Sequence, residues 1–160
     1  MNIVLNIPDF DEKSIYFTDT KTNTHLPNST FNRITYSSED FMMSGIYIHF
    51  ELYIKHNEKN YNNNVYIYYF DPKHDHNKLV INSFIQIENN ILNKWTNVHK
   101  SHNNTRINEI EKHFSEGAIS VWNQDINITD KPAFHTFIIK IAGVWENEAE
   151  KETGLTYKFI

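Results

Sequence analysis

The last stretch of the chain, "IIKIAGVWENEAEKETGLTYKFI" (138–160), sets rings and ammonium groups at alternating positions. Lys140 stands between Ile139 and Ile141, and Lys158 between Tyr157 and Phe159. Neighbours in an extended chain point to opposite faces, so each run has an apolar face and a face carrying a lysine. Two chemistries fit this pattern. The rings can fill a core while the lysines stand in solvent. Alternatively, an exposed ring can stack on a nucleobase, at about 1–3 kcal/mol per base, while the lysines hold phosphates. The same choice arises in "GIYIHFELYIKH" (45–56), where Tyr47, His49, Glu51, Tyr53 and Lys55 share one face. Ile46, Ile48, Phe50, Leu52 and Ile54 share the other.

A second constellation is "DPKHDHNK" (71–78), with Asp71, His74, Asp75 and His76. On a strand, His74 and His76 would point the same way, as a nitrogen–oxygen metal site requires. His99 and His102 form a further pair at helical spacing. A solvated polar loop after Pro72 accounts for the same residues without a metal. Signatures of common enzymes are missing: the chain has no phosphate-cradling glycine loop, no nucleophile elbow and no H-E-x-x-H pair. Its four glycines, at 45, 117, 143 and 154, leave little material for such loops. No catalytic residue and no cofactor are therefore expected.

The elements that must position these residues follow from hydrophobic period. Short strands are expected at 2–7, 14–18, 31–37, 45–56, 65–70 and 118–122, and a hairpin at 134–145 and 154–160. Turns or loops are expected at 21–28, 57–64 and 123–132, each rich in Asn, Asp or Pro. Between strands the period changes. Phe84, Ile87, Ile91 and Trp95 recur at three and four residues, which predicts an amphipathic helix over about 81–98. Ile110 and Phe114 predict a shorter one ending at Gly117, so the helical insertion spans about 81–116. This order predicts a single mainly β domain, of α+β class, over 1–160. An OB-like antiparallel barrel suits it, with an α+β sandwich as the other architecture. Gly143 and Gly154, inside the closing strands, mark a bulge or a close approach that would let a sheet curl.

Composition limits the function. The chain has 160 residues, enough for one domain with a real core, and no cysteine, so disulfides and thiolate zinc sites are excluded. No run approaches the length of a membrane span, and the N-terminus has no basic region of the kind a secretory signal needs. Net charge is −5. For a nucleic-acid binder this requires a basic groove on an acidic body. The acids cluster near the start and at Glu146, Glu148, Glu150 and Glu152.

The closing segment also resembles a family encoded by nucleocytoplasmic large DNA viruses. Lys140, Ile141, Gly143, Val144 and Trp145 match its K-I-S-G-I-W part, and residues 154–159 its G-L-T-Y-K-F-like strand. "FNRITYSSEDFMMSGIYIHFEL" (31–52) looks similar to material from the same proteins. That family is similar to the phage-type single-stranded DNA-binding proteins, which have an OB-fold. The resemblance implies non-catalytic, sequence-tolerant binding of single-stranded DNA in viral replication, recombination or repair. It implies replication proteins as further partners, and a place in the host cytoplasm or nucleus. The chain departs from the family in being short and acidic, and the phage relatives' acidic tail has no counterpart after Ile160.

Together these residues predict a groove tracked by Arg33, Lys55, Lys140 and Lys158, with Tyr47, Tyr53 and Tyr157 as platforms. Trp145 is expected to cap the barrel. The competing expectations are a non-enzymatic viral structural or interaction module on the same barrel, and a metal-dependent hydrolase at His74 and His76.

Overall fold

Why the run 46–54 dominates the fold is visible in a computed structural model, which describes residues 3–100, 103–122 and 128–160. Ile46, Ile48, Phe50, Leu52 and Ile54 are all buried, as strict alternation requires of a half-buried strand. In chain order the strands are β1 (Leu5–Asn6), β2 (Ile15–Thr22), β3 (Ser29–Ser37), β4 (Met42–Ser44), β5 (Ile46–Asn60) and β6 (Val65–Phe70). Then come α1 (Asp75–His99), β7 (Thr105–Ile107), α2 (Glu109–Ser115), β8 (Ala118–Trp122), β9 (Ala133–Asn147) and β10 (Glu152–Phe159). The architecture is mainly β with a helical insertion.

β5 has three partners: the short β1 lies parallel to it at Ile48 and His49, and β9 and β6 divide its length between them. Its first half pairs antiparallel with β9, from Ile46↔Ile141 to Ile54↔Ala133. Past a bulge between Ile54 and His56 it turns to pair with β6, as far as Asn60↔Val65. β6 pairs with β8 and β9 with β10, both antiparallel. β8 and β10 meet in parallel at one pair, Val121↔Phe159. The pairings β5–β6–β8–β10–β9–β5 thus run in a ring. β3 and β2 extend the sheet outward from β9, while β7 lies parallel to the start of β10.

The ring's interior is aromatic. Phe50 has the rings of Phe84, Phe114, Phe137 and Phe159 within 5.0–6.1 Å. Phe84 from α1 and Phe114 from α2 stack on each other at 5.4 Å, so both helices are held through the ring's core. Glu88, fully buried on α1, accepts the backbone N–H groups of Ile110 and Glu111 at 3.0 Å each. These are donors that the first turn of α2 leaves without intrahelical acceptors. Burial, acting against these two bonds, raises the Glu88 carboxyl above the usual carboxylate range.

Several boundaries differ from expectation. α1 begins at Asp75, not at about 81, and β7 interrupts the insertion before α2. Its first turn is anchored by Asn77. The side-chain oxygen of Asn77 accepts from the Tyr53 N–H at 2.7 Å, and its amide donates to the carbonyls of Tyr53 and Asp71 at 3.0 Å each. β5 continues through Asn57 to Asn60, a stretch expected as a turn, because β6 supplies an antiparallel partner there. The expected loop at 123–132 lies in part, at 123–127, outside the described residues, as does His102.

Candidate nucleic-acid interface

β10 changes partner along its length, and a cleft results. Glu152, Thr153 and Gly154 pair with β7, and Phe159 pairs with β8. Between them, residues 155–158 have ladder partners only on the β9 side. α2, which links β7 to β8, spans the gap. The Tyr157 hydroxyl donates to the Glu109 carbonyl at 3.0 Å and lies 3.1 Å from His113 Nδ1. Burial first, and then the Glu109 carboxylate, raise the Tyr157 phenol well above its ordinary pKa, so it stays protonated and can keep donating.

The cleft over this gap has a volume of about 790 Å³. One wall is the end of β2 and the connection after it, residues 21–26. Hydrogen bonds from Asn23 N–H to the Ser29 carbonyl (2.8 Å) and from the Ser29 hydroxyl to the Leu26 carbonyl (2.8 Å) hold this connection in place. Phe31 and Arg33 of β3, Trp145 of β9, Thr156 of β10, Ser120 and Trp122 of β8 and His113 of α2 also line the cleft. Trp122 is 69% exposed.

Two of these rings are seated on glycines. Phe31 and Trp145 are direct partners across β3 and β9. A Cβ on Gly143 would stand 2.5 Å from the Phe31 ring and 2.3 Å from the Asn32 carbonyl oxygen. A Cβ on Gly154 would stand 2.8–2.9 Å from three atoms of the Trp145 indole, the near-equal distances of a ring lying face down on the strand. Glycine at both positions lets the rings lie against the sheet, in line with the close approach expected there.

Charge favours an anion in the cleft. Lys21, Arg33 and Lys158 line it, with Glu109 as the one lining carboxylate among the described residues. The nearest charged partner of Arg33 is Asp19, at 4.0 Å and largely exposed, which is a weak pair in water. Beside the cleft, and sharing Phe31 and Arg33 with it, lies a hollow of about 290 Å³ completed by Ser44, Lys140 and Ala142. At the far end of the ribbon, Glu146, Glu148, Glu150 and Glu152 make the turn acidic. Glu146 accepts the Trp95 indole N–H at 2.5 Å.

The expected site residues divide into three groups. Arg33, Tyr157 and Lys158 line the cleft, and Lys140 lines the adjoining hollow. Tyr47 corrects its assignment as an open platform: it is only 8% exposed, with the Lys140 ammonium 5.2 Å above its ring. Tyr53 and Lys55 are not among the cleft residues. The Tyr53 ring is stacked on His74 at 4.6 Å and meets the edge of Phe134 at 5.0 Å. Lys21, Phe31, Trp122 and Trp145 were not predicted as contacts. Trp145 does pack against the ribbon, yet it also faces the cleft. The glycine pair is a sequence signal for Phe31 and Trp145 alone; Lys21 and Trp122 carry none.

The histidine pair does not have the geometry a metal would need. His76 belongs to the first turn of α1 rather than to a strand. Its Nε2 lies 2.9 Å from the Glu51 carbonyl oxygen, and its ring meets Phe134 at 5.0 Å. Among the described residues, no three His, Asp or Glu side chains gather as a metal site would require. No helix among those residues is long and apolar enough to cross a membrane. Compared with known protein families, curated proteins and solved structures, the chain matches none.

Proposed function

We propose that this protein binds single-stranded DNA, with little sequence preference and without catalysis, along the cleft beside β10. The convergence of Phe31, Trp122 and Trp145 with Lys21, Arg33 and Lys158 around one opening carries the proposal. Flat rings accept any base, and the cations take up phosphates, which is how strands are held without base-specific readout. The acidic body is no obstacle, because Glu146, Glu148, Glu150 and Glu152 are not among the residues that line the cleft.

An OB-like barrel agrees with the ring of strands. Numbering its members in chain order (β5, β6, β8, β9, β10), the ring runs first–second–third–fifth–fourth, with the third and fifth parallel. We read this order as that of a partly open five-stranded barrel, a kind that binds oligonucleotides. The helices enter between the second and third members. The resemblance of residues 138–160 to the viral family supports the same reading. On that resemblance our reading assigns the protein to viral DNA replication, recombination or repair, with replication proteins as partners, in the host cytoplasm or nucleus.

The test is a gel-shift and anisotropy titration with a labelled oligo-dT 30-mer across a salt series. Binding that weakens steeply and log-linearly with salt is expected. A 30-mer left unshifted at low salt, with a stable oligomer or a co-purifying protein instead, would establish the interaction-module alternative.

A further inference from the structure

We infer that the hollow between Arg33, Ser44 and Lys140 is a discrete site for one phosphodiester, which fixes the strand's register in the neighbouring cleft. The assignment rests on the strand-binding role proposed above.

The hollow has the composition of an oxyanion site. Among the described residues its lining is Phe31, Arg33, Ser44, Lys140 and Ala142, with a guanidinium, an ammonium and a hydroxyl and no carboxylate. These three donors come from different strands. Arg33 lies on β3, Ser44 ends β4, and Lys140 lies on β9. They converge because β3 exchanges partners here, pairing with β9 up to Arg33↔Gly143 and with β4 from Thr35↔Ser44. Gly45, with φ +84, makes the corner between β4 and β5. A Cβ there would press on the Ile141 carbonyl at 3.0 Å and on the Lys140 stem at 3.4 Å, so the glycine leaves Lys140 its course along the hollow.

The charges are also free to act. Among the described residues, no carboxylate lies within ion-pair distance of Lys140, and its ammonium rests over Tyr47. Arg33 has only the loose, exposed contact with Asp19. A guanidinium forks onto two oxygens of a phosphate, and the ammonium serves as a point charge on a third side.

Register follows from the shared wall. Phe31 borders both the hollow and the cleft, and its cross-strand partner is Trp145. With one phosphate held at Arg33 and Lys140, the base attached to it meets Phe31 and the next base meets Trp145. Binding of this kind slides less freely than a uniformly charged groove would allow.

The test compares wild type with Lys140→Ala, Ser44→Ala and, as a control on exposed α1 surface, Lys78→Ala. Oligo-dT affinity is read across a salt series, with thermal melting to confirm folding. Lys140→Ala should weaken binding and reduce the salt slope by about one, as loss of one phosphate contact does. Ser44→Ala should weaken it about two- to tenfold with the slope unchanged, and Lys78→Ala should leave both unchanged. A dT 8-mer with single methylphosphonates scanned along it should show one position costing far more than the rest. Equal cost at every position, or wild-type affinity in both hollow variants, would overturn the fixed-register site while leaving strand binding intact. No binding of oligo-dT by wild type would remove the strand-binding role itself, and this inference with it.

Discussion

Lys140 and Lys158 are direct cross-strand partners on β9 and β10, two lysines in register on the outer face of the closing ribbon. Like charges facing across a ladder destabilise it, by roughly 0.2–1 kcal/mol. A bound polyanion reverses that sign. Lys158→Ala should therefore raise the urea midpoint of the free protein while lowering its affinity for oligo-dT. A variant that loses both stability and affinity would show that the lysine serves packing alone.

Trp122 gives a cleaner separation. Its indole is mostly exposed, so Trp122→Ala should change stability by no more than about 0.5 kcal/mol. It should nevertheless cost about 1–3 kcal/mol of strand binding if a base stacks there. Fluorescence reads this directly. Trp95 is buried, so ligand quenching should come from Trp122 and Trp145 and should shrink in Trp122→Phe.

Gly143 and Gly154 should differ in their tolerance of alanine. At Gly143 the added methyl meets the Asn32 backbone as well as a ring, and backbone cannot step aside. Gly143→Ala should cost at least about 1–3 kcal/mol, as overpacking does. At Gly154 the nearest obstacle is the Trp145 indole, a side chain rather than backbone. Gly154→Ala should fold with its indole lifted, changing the Trp emission and weakening strand binding more than stability.

Glu88 predicts a pH dependence. Its carboxyl is raised on folding, chiefly by burial, so the native state holds this proton more tightly than the unfolded chain. The corresponding stability is fully present below the ordinary glutamate value, about 4.3, and is lost as pH rises through the higher folded value. Glu88→Gln cannot titrate. The stability difference between wild type and this variant, followed by urea denaturation from pH 4 to 7, should therefore move against wild type as pH rises. Glu88→Ala should cost roughly 1–3 kcal/mol for each donor left bare at Ile110 and Glu111.

Asn77 should behave as a structural pin. It is fully buried and closes three backbone groups of Tyr53 and Asp71. Asn77→Ala should destabilise by several kcal/mol by the same accounting, about 1–3 for each group left unpaired. Hydrogen exchange should show the first turn of α1 fraying before the rest of the protein.

What could be read from the sequence was whatever repeats locally. Strict alternation marked β5, and the bounds of β6 and β8 fell where Pro72, Gly117 and flanking polar residues put them. The helical period of Phe84, Ile87, Ile91 and Trp95 marked the body of α1. Its first turn was hidden because Asp75, His76, Asn77 and Lys78 carry no apolar stripe; what holds that turn is Asn77 reaching a distant strand. The cleft was hidden for a similar reason. Lys21, Phe31, Trp122 and Trp145 lie on four strands, and they meet only because β10 leaves β8 after one pair. Tyr47 and Tyr53 share the outward face of β5, as alternation requires, but alternation cannot tell that Lys140 and His74 cover them.

That single Val121–Phe159 rung has a mechanical consequence. A hoop closed by one rung yields there first under load or heat. The seam-side amides of residues 155–158, which have no ladder partner across the gap, should exchange with solvent ahead of those that β9 holds, and a ligand bridging Trp122 and Lys158 would act as a clasp, slowing that exchange without touching the rung itself.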